Sequence, residues 1–408
     1  MYAVAVVGSG ASGLMSSITA ARVGKSVLLL EKMPSVGLKL KASGGGKCNL
    51  TNTLKTDEFI DSFGKGAKFM RDALKLFDSD DLLNFFKEIG LKTHAPDGFR
   101  VFPQSHNSKS VLDAFNAEMK SASVDIKCNH SVKSISKLEN FFTLETDAVN
   151  FRAKNVIIAT GGMGYKTLGT DGDGYKFAKS FGHNITPLYP AMLPLHVEQD
   201  WVKNCIADTI AKVTLKIDMP KMKSSQKRGD LIFTKNGIRG PVVLDFATEV
   251  TPLLDKYAKV PILVNFTKGM NEEEIREFLK TQNQKNPQHN IVELLTELIP
   301  KSISKELCKL VGIDRYNRYV KIDGRKRDEL IKLLAWTPLT VTGHGGFEKA
   351  MVTKGGVRLK EIDPKTMQSK IVKGLYFCGE VVDLDGACGG YNLQWAFSSG
   401  FLAGCLKD

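Results

Sequence analysis

The residues best suited to chemistry near the start of the chain are three glycines and one glutamate. Gly8, Gly10 and Gly13 form a G-x-G-x-x-G pattern. In this pattern the first glycine permits a tight turn, the second lets the backbone approach a diphosphate, and the third brings a helix close to a strand. Glu31 follows Gly13 by 18 positions, where a carboxylate accepts hydrogen bonds from ribose hydroxyls and repels a 2′-phosphate. The spacing predicts a dinucleotide site that disfavours NADP.

The elements that must position these residues are predicted around them in the right order. Ala3–Val7 is a short apolar run typical of a buried strand, Ala11–Val23 is predicted as a helix, and Ser26–Leu30 as a second buried strand. The helix N-terminus offers unpaired N–H groups and a positive dipole end to a diphosphate. Because strand, helix, second strand and glutamate follow in register, a glycine-rich surface turn is the weaker interpretation.

Two further glycine-rich stretches are predicted to approach the same ligand. Residues 37–52 include Gly44–Gly46 and show no hydrophobic period, so we predict no regular element there but a loop whose backbone lies against the ligand. Asn49 in that loop can either fix its shape or contact the ligand. Asn155–Ala159 is a buried apolar run that ends at Gly161, and we expect it beside the first strand.

The C-terminal part of the chain favours FAD over NAD. Gly374–Glu380 is predicted as a strand entering a turn, and Leu393–Gly404 as a helix preceded by a glycine pair and Asn392. Such a helix start is a second site for negative charge. NAD needs one βαβ unit and its neighbours, whereas FAD is longer and its flavin end commonly rests against a distant C-terminal helix. Gly400 is one helical turn from Gly404, which predicts close packing of this helix.

The middle of the chain, from Pro187 to about Gly345, is predicted to be an insertion. Strands are predicted at 213–217, 231–233, 242–245 and 260–266 with no helices between them, which indicates an antiparallel or barrel-like domain. Residues 271–335 are charged and predicted to be helical. Both ends of the insertion join segments that meet the cofactor, so we expect the insertion to form a lid over the flavin.

Composition limits the class of protein. The chain has 408 residues, which predicts two or three domains, with 42% hydrophobic and 25% charged residues. No apolar run approaches the roughly 20 residues that a membrane span needs, so we expect a cytoplasmic protein. Its seven cysteines lack metal-ligand or C-x-x-C spacing, so neither a zinc site nor a disulfide framework is predicted.

The net charge of +13 raises the question of a nucleic-acid partner. The densest basic run, Arg315–Arg327, has tyrosines between its cations, and aromatic rings there could stack on bases. The alternative is a solvated face whose tyrosines pack inward, and we favour it. No extended motif of the flavin enzymes that act on tRNA is present, so we expect no RNA binding, with a small molecule as substrate.

Three longer motifs resemble one family of bacterial flavoproteins. These are residues 43–52 (SGGGKCNLTN), 352–357 (VTKGGV) and 379–394 (GEVVDLDGACGGYNLQ). They resemble the YhiN/BaiN-type FAD-dependent oxidoreductases, which include aminoacetone oxidases and 3-dehydro-bile-acid reductases, and the similarity runs end to end. The resemblance implies an α/β fold: a glutathione-reductase-like, Rossmann-type FAD-binding domain with an inserted β-rich, barrel-like domain and a small helical domain. The corresponding ranges are 1–187 with 346–408, 188–270 with 336–345, and 271–335.

The resemblance also implies noncovalent FAD and a set of contact residues. Together with the glycine patterns, it gives the predicted cofactor-binding residues Gly8, Gly10, Ala11, Ser12, Gly13, Glu31, Lys32, Lys39, Gly45, Gly46, Asn49, Gly161, Gly379, Glu380, Gly390, Tyr391, Asn392 and Leu393.

The reaction follows from the cofactor, whereas its substrate stays open. We predict two-electron transfer at flavin N5, either NAD(P)H-linked reduction of an activated C=C bond or oxidation of an amine by dioxygen. No second G-x-G-x-x-G is present, so NAD(P)H would dock only transiently. His344, Arg100, Tyr391 and Arg239 are polar candidates, and none of them can be assigned a catalytic role.

Two departures from the family pattern concern charge. Lys47 stands where the family usually has Arg, and Lys235 and Arg239 stand where it usually has His and Ser. If the turn that carries Lys235 and Arg239 faces the substrate, it would favour an anionic one. The alternative, which we rate slightly higher, is an exposed basic turn.

Overall fold

A computed structural model describes residues 1–220 and 226–406 of the protein. The chain divides into two compact units. Unit 1 comprises Met1–Pro190 and Met351–Asp408, and unit 2 comprises Ala191–Ala350. The predicted domain ranges also include residues 221–225 and 407–408, which lie outside the described residues. No helix in the described ranges is long and apolar enough to cross a bilayer.

The strands of the described residues are numbered in chain order. They are β1 Tyr2–Val7, β2 Val27–Leu30, β3 Thr51–Asn52, β4 Thr93–His94, β5 Arg100–Pro103, β6 Asp125–Lys127, β7 Val132–Leu138, β8 Phe141–Thr146, β9 Asn150–Ile158, β10 Tyr189–Ala191, β11 Leu195–Val197, β12 Thr209–Ile217, β13 Lys227–Thr234, β14 Gly237–Arg239, β15 Val260–Asn265, β16 Thr337–His344, β17 Val352–Lys354 and β18 Leu375–Phe377.

The α-helices are numbered in the same way. They are α1 Ala11–Arg22, α2 Leu38–Ala42, α3 Thr56–Asp61, α4 Arg71–Leu76, α5 Ser79–Glu88, α6 Ser108–Ser121, α7 Asp173–Ser180, α8 Pro241–Tyr257, α9 Glu272–Lys285, α10 Ile291–Leu295, α11 Lys301–Leu310, α12 Gly324–Ala335 and α13 Tyr391–Gly404.

The main sheet of unit 1 brings three strand ends to one edge. Its strand order is β6-β2-β1-β9-β8-β7, and β18 also pairs with β9. The pairs that β9 makes with β1 and β18 are parallel, and both Val7 and Phe377 pair with Ile158. In such sheets ligands bind beyond the carboxyl ends of the strands. The turns after β1, β9 and β18 therefore emerge side by side.

Helices α1 and α13 pack closely within unit 1. Ten of the twelve residues of α1 are buried. Small residues of α1, such as Ser12 and Ser16, let α13 approach closely. A Cβ atom added to Gly400 would lie 2.9 Å from Cα of Ser12, and one added to Gly404 would lie 2.6 Å from the carbonyl oxygen of Ser16. Any larger side chain at these positions would push the helices apart. The predicted close packing at Gly400 and Gly404 is confirmed.

Unit 2 contains a closed six-stranded barrel. Its strand order is β11-β14-β13-β12-β15-β16, and neighbouring strands are antiparallel. Along β15, Val260, Ile262 and Val264 are fully buried in alternation, as expected for strands with one inward face. Helices α9 to α12 add residues such as Leu279 and Leu334 to the same hydrophobic core. The predicted α/β fold class with a barrel-like insertion is confirmed.

One predicted strand of the insertion is wrong. Residues 242–245 belong to helix α8 and not to a strand, so the β-rich part is not free of helices. The β-branched pair Val242–Val243 is typical of a strand, but Pro241 occupies the first helical turn, where its missing N–H costs nothing. Phe246, Val250 and Leu254 then continue one buried face at helical spacing.

Two predictions in unit 1 also need correction. Residues 37–52 are not wholly irregular, because they contain α2, a 3₁₀ turn at Ser43–Gly46, and β3. Leu40 is the buried residue of α2, and one buried position is too few to show a hydrophobic period in the sequence. The spacing of Phe69, Ala73 and Leu74 also predicts a single helix at 65–76, but the structure has a 3₁₀ helix, Gly64–Met70, followed by α4.

Candidate cofactor site

The turn between β1 and α1 has the features of a diphosphate site. Gly10 is the N-cap of α1 and, as a glycine, supplies no side chain to cap it. A Cβ atom added to Gly10 would meet no heavy atom within 4 Å, so the turn has free space beside it. Uncapped N–H groups at a helix N-terminus bind anions. Gly8, Ala11, Ser12 and Gly13, the other predicted residues of this turn, lie around the same helix start.

Glu31 lies at the end of β2 and joins the two turns of the βαβ unit. Its carboxylate accepts hydrogen bonds from the backbone N–H of Ser9 at 3.0 Å, from the Ser9 hydroxyl, and from the backbone N–H of Met33 at 2.8 Å. A carboxylate has about four acceptor positions, so it retains capacity for a ribose hydroxyl. Ser9 is a partner that the glycine pattern did not reveal.

Lys32 is neutralised by neighbouring carboxylates. Its Nζ atom lies 2.5 Å from Asp171 and 2.9 Å from Asp173. Burial opposes the charged form of Lys32, but the hydrogen bonds to the two aspartates outweigh it and raise its pKa. Burial likewise opposes ionisation of Asp173, yet Lys32 and other neighbours lower its pKa to about 2. The predicted cofactor contact of Lys32 stays a prediction, and the structure shows that its charge is already paired.

Lys39 and Glu380 are brought together from opposite ends of the chain. Lys39 Nζ lies 2.8 Å from Glu380, whose other carboxylate oxygen accepts a hydrogen bond from the backbone N–H of Thr353 at 2.8 Å. The Thr353 hydroxyl accepts a hydrogen bond from the backbone N–H of Met163 at 2.8 Å. Glu380 therefore links α2, β17 and the turn after β18. Cβ atoms added to Gly45 or Gly46 would meet nothing within 4 Å, so this face of the loop is open.

Asn49 positions the start of α13. The Asn49 amide is oriented so that both its oxygen and its nitrogen have partners. The oxygen accepts a hydrogen bond from the N–H of Gly390 at 3.0 Å, and the nitrogen donates to the carbonyls of Val101 and Thr51. Asn52 donates to the carbonyl of Gly389 at 3.0 Å. Gly390 has a φ of +90° and lies against the backbone of Thr51, so only glycine fits. Of the two predicted roles of Asn49, the structure shows that of fixing the loop.

The side chains of Tyr391 and Asn392 contact other parts of unit 1. Tyr391 is buried, with its ring centroid 4.9 Å from that of Phe59. Asn392 accepts a hydrogen bond from the N–H of Gly386 and donates one to its carbonyl, both at 2.9 Å. Gly390 is the N-cap of α13 and, as a glycine, supplies no side chain to cap it. A contact between a ligand and the N-terminal backbone of α13, which includes Leu393, stays a prediction.

The turn after β18 connects the two halves of the site. The N–H of Gly379 donates to the Ser399 hydroxyl at 2.9 Å, and Trp395 Nε1 donates to the Gly379 carbonyl at 3.3 Å. A Cβ atom at Gly379 would lie 2.9 Å from that of Ser12 in α1. Gly161, in the turn after β9, completes the predicted set at the same sheet edge. The predicted residues of the N-terminal and C-terminal motifs therefore converge.

Sequence reasoning missed two groups near this edge, the buried Tyr175 and the half-buried Asp385. The Tyr175 hydroxyl is buried and has no hydrogen-bond partner within the described part of the chain. Burial, with help from Glu380 and Asp383, raises the pKa of Tyr175 well above 10. Burial also raises the pKa of Asp385, although Lys354 opposes this shift. An orphaned phenol, an open turn at a helix N-terminus and a carboxylate with unused acceptor capacity together fit FAD.

The polar candidates named from the sequence lie in ordinary surroundings. Arg100 forms an exposed ion pair with Asp97, with 2.7 Å between Nε and Oδ2. His344 Nδ1 accepts a hydrogen bond from the N–H of Gly346 at 3.0 Å, and burial lowers its pKa, with a smaller contribution from His196. Lys235 and Arg239 are exposed in the turn that joins β13 to β14 and in β14.

The fold and the site define an FAD-dependent oxidoreductase. The chain belongs to the HI0933-like protein Rossmann domain family, which matches residues 2–406. The predicted family and its enzymatic character are confirmed.

Relatives with known names span almost the whole chain. The chain is 33% identical to the 3-dehydro-bile acid delta(4,6)-reductase of Clostridium scindens, over 99% of this chain and 98% of that protein. It is 28% identical to the ribosomal RNA dihydrouridine synthase of Escherichia coli K12, over 99% and 96%. Among solved structures, the 3-ketosteroid-delta4-(5alpha)-dehydrogenase of Rhodococcus jostii RHA1 shares the fold, with a TM-score of 0.53, 14% identity, and coverage of 100% of this chain and 97% of that one.

Proposed function

We propose that the enzyme uses FAD to reduce a carbon–carbon double bond conjugated to a carbonyl group. One observation carries this proposal: relatives with different named substrates share one kind of reaction. A delta(4,6)-reductase of a 3-dehydro bile acid adds hydrogen to double bonds near a ring ketone. A dihydrouridine synthase adds hydrogen to the C5=C6 bond of uracil, which is conjugated to a ring carbonyl. Both align over nearly their full length.

The residues described above would hold the cofactor in three places. The N-terminus of α1, from Gly10 to Gly13, would bind the diphosphate, and Glu31 would accept a hydrogen bond from the adenosine ribose. The turn at Gly379–Glu380 and the start of α13 would lie near the flavin end. A bound FAD supplies a two-electron store that NAD(P)H fills. The positive end of the α13 dipole favours negative charge in its vicinity.

The first test is the identity of the cofactor and its redox partners. We expect the purified protein to be yellow and to release FAD on denaturation, whereas FMN alone or no flavin would contradict the proposal. In anaerobic stopped-flow absorbance, NADH or NADPH should bleach the flavin band and an enone should restore it. Bleaching by amines with release of peroxide would instead support the alternative, an amine oxidase that uses dioxygen.

A second candidate substrate is a uridine in RNA. The net charge of +13 favours it, because contact with phosphates is a sequence-independent use of lysine and arginine. Two ribosomal RNA dihydrouridine synthases are also similar to this chain over most of its length. Incubation with NADPH and unmodified ribosomal RNA, followed by nucleoside mass spectrometry, tests this candidate through the appearance of dihydrouridine.

The exposed pair Lys235 and Arg239 tests whether the substrate is anionic. Steady-state kinetics of the Lys235→Ala, Arg239→Ala double variant would be compared for matched neutral and anionic enones. A loss of kcat/KM confined to the anionic substrate would support a role in substrate choice. Equal rates on both, with FAD retained, would assign the pair to the surface charge alone.

A further inference from the structure

Residues 311–327 of unit 2 form a basic segment that comprises the connection from α11 to α12 and the first turn of α12. Ile313, Tyr319 and Ile322 are buried and anchor it to the core of unit 2. The N–H of Ile291 also donates a hydrogen bond to the carbonyl of Asn317 at 2.8 Å. Three buried side chains and one backbone hydrogen bond therefore anchor the segment, and its other side chains are mostly exposed.

The cations of the basic segment outnumber its acids by six to two. Both acids serve local backbone groups: Asp314 accepts a hydrogen bond from the N–H of Tyr316, and Asp323 accepts from the N–H groups at the start of α12. Arg318, Lys321 and Arg325 are exposed, and none of them forms an ion pair with any described residue. These three charges are therefore available to an external anion.

The two tyrosines of the basic segment point in opposite directions. Tyr319 packs inward, as the interpretation of a solvated face predicts, but Tyr316 is 68% exposed. The Arg315 guanidinium carbon lies 4.7 Å from the Tyr316 ring centroid, and an Arg315 nitrogen donates to the Tyr316 hydroxyl at 2.8 Å. This contact pairs an exposed aromatic ring with an arginine, in the same segment as cations that form no ion pair with a described residue. Single-stranded nucleic acids are bound by this combination of a basic track and a stacking ring.

In contrast to the expectation from the sequence, we infer that the basic segment 311–327 binds RNA, with Arg318, Lys321 and Arg325 on phosphates and Tyr316 stacked on an unpaired base. The inference rests on the second candidate substrate of the proposed function. An acidic protein would also meet the cations, but it would not explain an exposed tyrosine in contact with an arginine. Tyr316 and Val320, which is 65% exposed, lie among the cations, where RNA can meet rings and charges together.

The test measures RNA binding by the flavin-loaded enzyme without turnover. Fluorescence anisotropy with a labelled 20-nucleotide oligouridine would be recorded between 50 and 200 mM salt. The Arg318→Ala, Lys321→Ala, Arg325→Ala variant should bind about tenfold or more weakly, and the slope of log K against log salt should fall by about 2, since each lost phosphate contact removes about 0.7. Tyr316→Ala should weaken binding about tenfold with an unchanged slope.

A matched control removes the same charge elsewhere. The Lys25→Ala, Lys120→Ala, Lys365→Ala variant loses three exposed lysines of unit 1 and should bind RNA like the wild type. Equal Kd values and slopes for the two triple variants would overturn the inference. So would binding of the wild type to phosphatidylglycerol vesicles with no binding to RNA.

Failure of this inference and failure of the proposed function are separable. If the enzyme reduces an enone but neither wild type nor variants bind RNA, the inference fails and the proposed reduction stands. If the enzyme binds RNA through the basic segment but reduces no conjugated double bond, the inference stands and the proposed reduction fails. Thermal unfolding and flavin content of each variant establish that it is folded.

Discussion

Single residues at the site combine two functions, and Glu31 is the clearest case. Its carboxylate holds Ser9 and Met33 through backbone hydrogen bonds and is proposed to receive a ribose hydroxyl. A charged acceptor of this kind contributes on the order of 1.5–3 kcal/mol per hydrogen bond. The ribose contact and the shape of the turn thus depend on the same two oxygens.

Glu31→Ala should lower the affinity for FAD by roughly tenfold or more, since at least one charge-assisted hydrogen bond is lost and the turn loosens. The Kd would be measured by titrating the apoprotein with FAD and following flavin fluorescence. Glu297→Ala, at an exposed position, is the control. An unchanged Kd for Glu31→Ala would exclude the ribose contact.

His183 makes the stability of unit 1 depend on pH. Its side chain is fully buried, 3.2 Å from Glu361 and 2.7 Å from the Ser369 hydroxyl. Burial lowers the pKa of His183, although Glu361 opposes the shift. Below its ordinary pKa of about 6.5, the unfolded chain binds a proton that the folded protein does not. Stability is therefore full above that pH and is lost as the pH falls toward the lowered pKa.

We expect the Tm of the wild type to fall between pH 7.5 and 5.5, and to fall less in His183→Gln, which cannot titrate. Differential scanning calorimetry in buffers of equal ionic strength measures both. His289→Gln, in which a partly exposed histidine is replaced, should keep the wild-type pH dependence. A parallel pH dependence in wild type and His183→Gln would show that other groups control it.

At the scale of elements, the contact between α1 and α13 connects the two ends of the chain. Gly400 is the position where the helices approach most tightly around Ser12, and Ser12 in turn lies against Gly379. The helix start that is proposed to bind the diphosphate is therefore held by the helix whose own start is proposed to lie near the flavin.

Gly400→Ala should destabilise the protein by about 1–3 kcal/mol, the usual cost of adding atoms to a packed interior, and should lower its flavin content. Gly324→Ala is the matched control, because a Cβ atom there meets nothing closer than 4.0 Å. That substitution should leave stability unchanged or raise it by up to about 1 kcal/mol. Urea unfolding and the ratio of flavin to protein provide the measurements, and equal effects of both variants would contradict the close-packing argument.

At the scale of the whole molecule, the two units have separate hydrophobic cores. The core of unit 1 includes Val6, Leu14 and Phe377, and that of unit 2 includes Phe233, Val264 and Leu334. The proposed cofactor residues all belong to unit 1. A ligand stabilises the folded state to which it binds, so bound FAD should stabilise unit 1 directly.

We expect calorimetric unfolding in two transitions, of which added FAD raises one. At a free FAD concentration of 100 times its Kd, the shifted transition should gain about 2.7 kcal/mol. Hydrogen exchange at each transition would assign it to a unit. A single transition that moves as a whole with FAD would show that the two cores unfold together.

The sequence by itself determined the part of the site that depends on local order. The bounds of β1, α1 and β2 are predicted within a few residues by the glycine pattern, Glu31 and the apolar runs around them. This is possible because the elements of a βαβ unit follow one another directly in the sequence. The close packing at Gly400 and Gly404 was predicted for the same reason, since their spacing of one helical turn is local. The long motifs at 43–52 and 379–394 identified the family.

The tertiary structure alone decided how distant groups share their contacts. Asn49 proved to hold the Gly390 turn, and Lys32 proved to be paired with two aspartates some 140 residues away, because hydrogen-bond partners depend on the folded chain and not on spacing. Val242–Val243 resembles a strand locally, yet the core of unit 2 selects helix α8. The exposure of Tyr316 beside the buried Tyr319 was decided in the same way, since only packing determines which ring is covered.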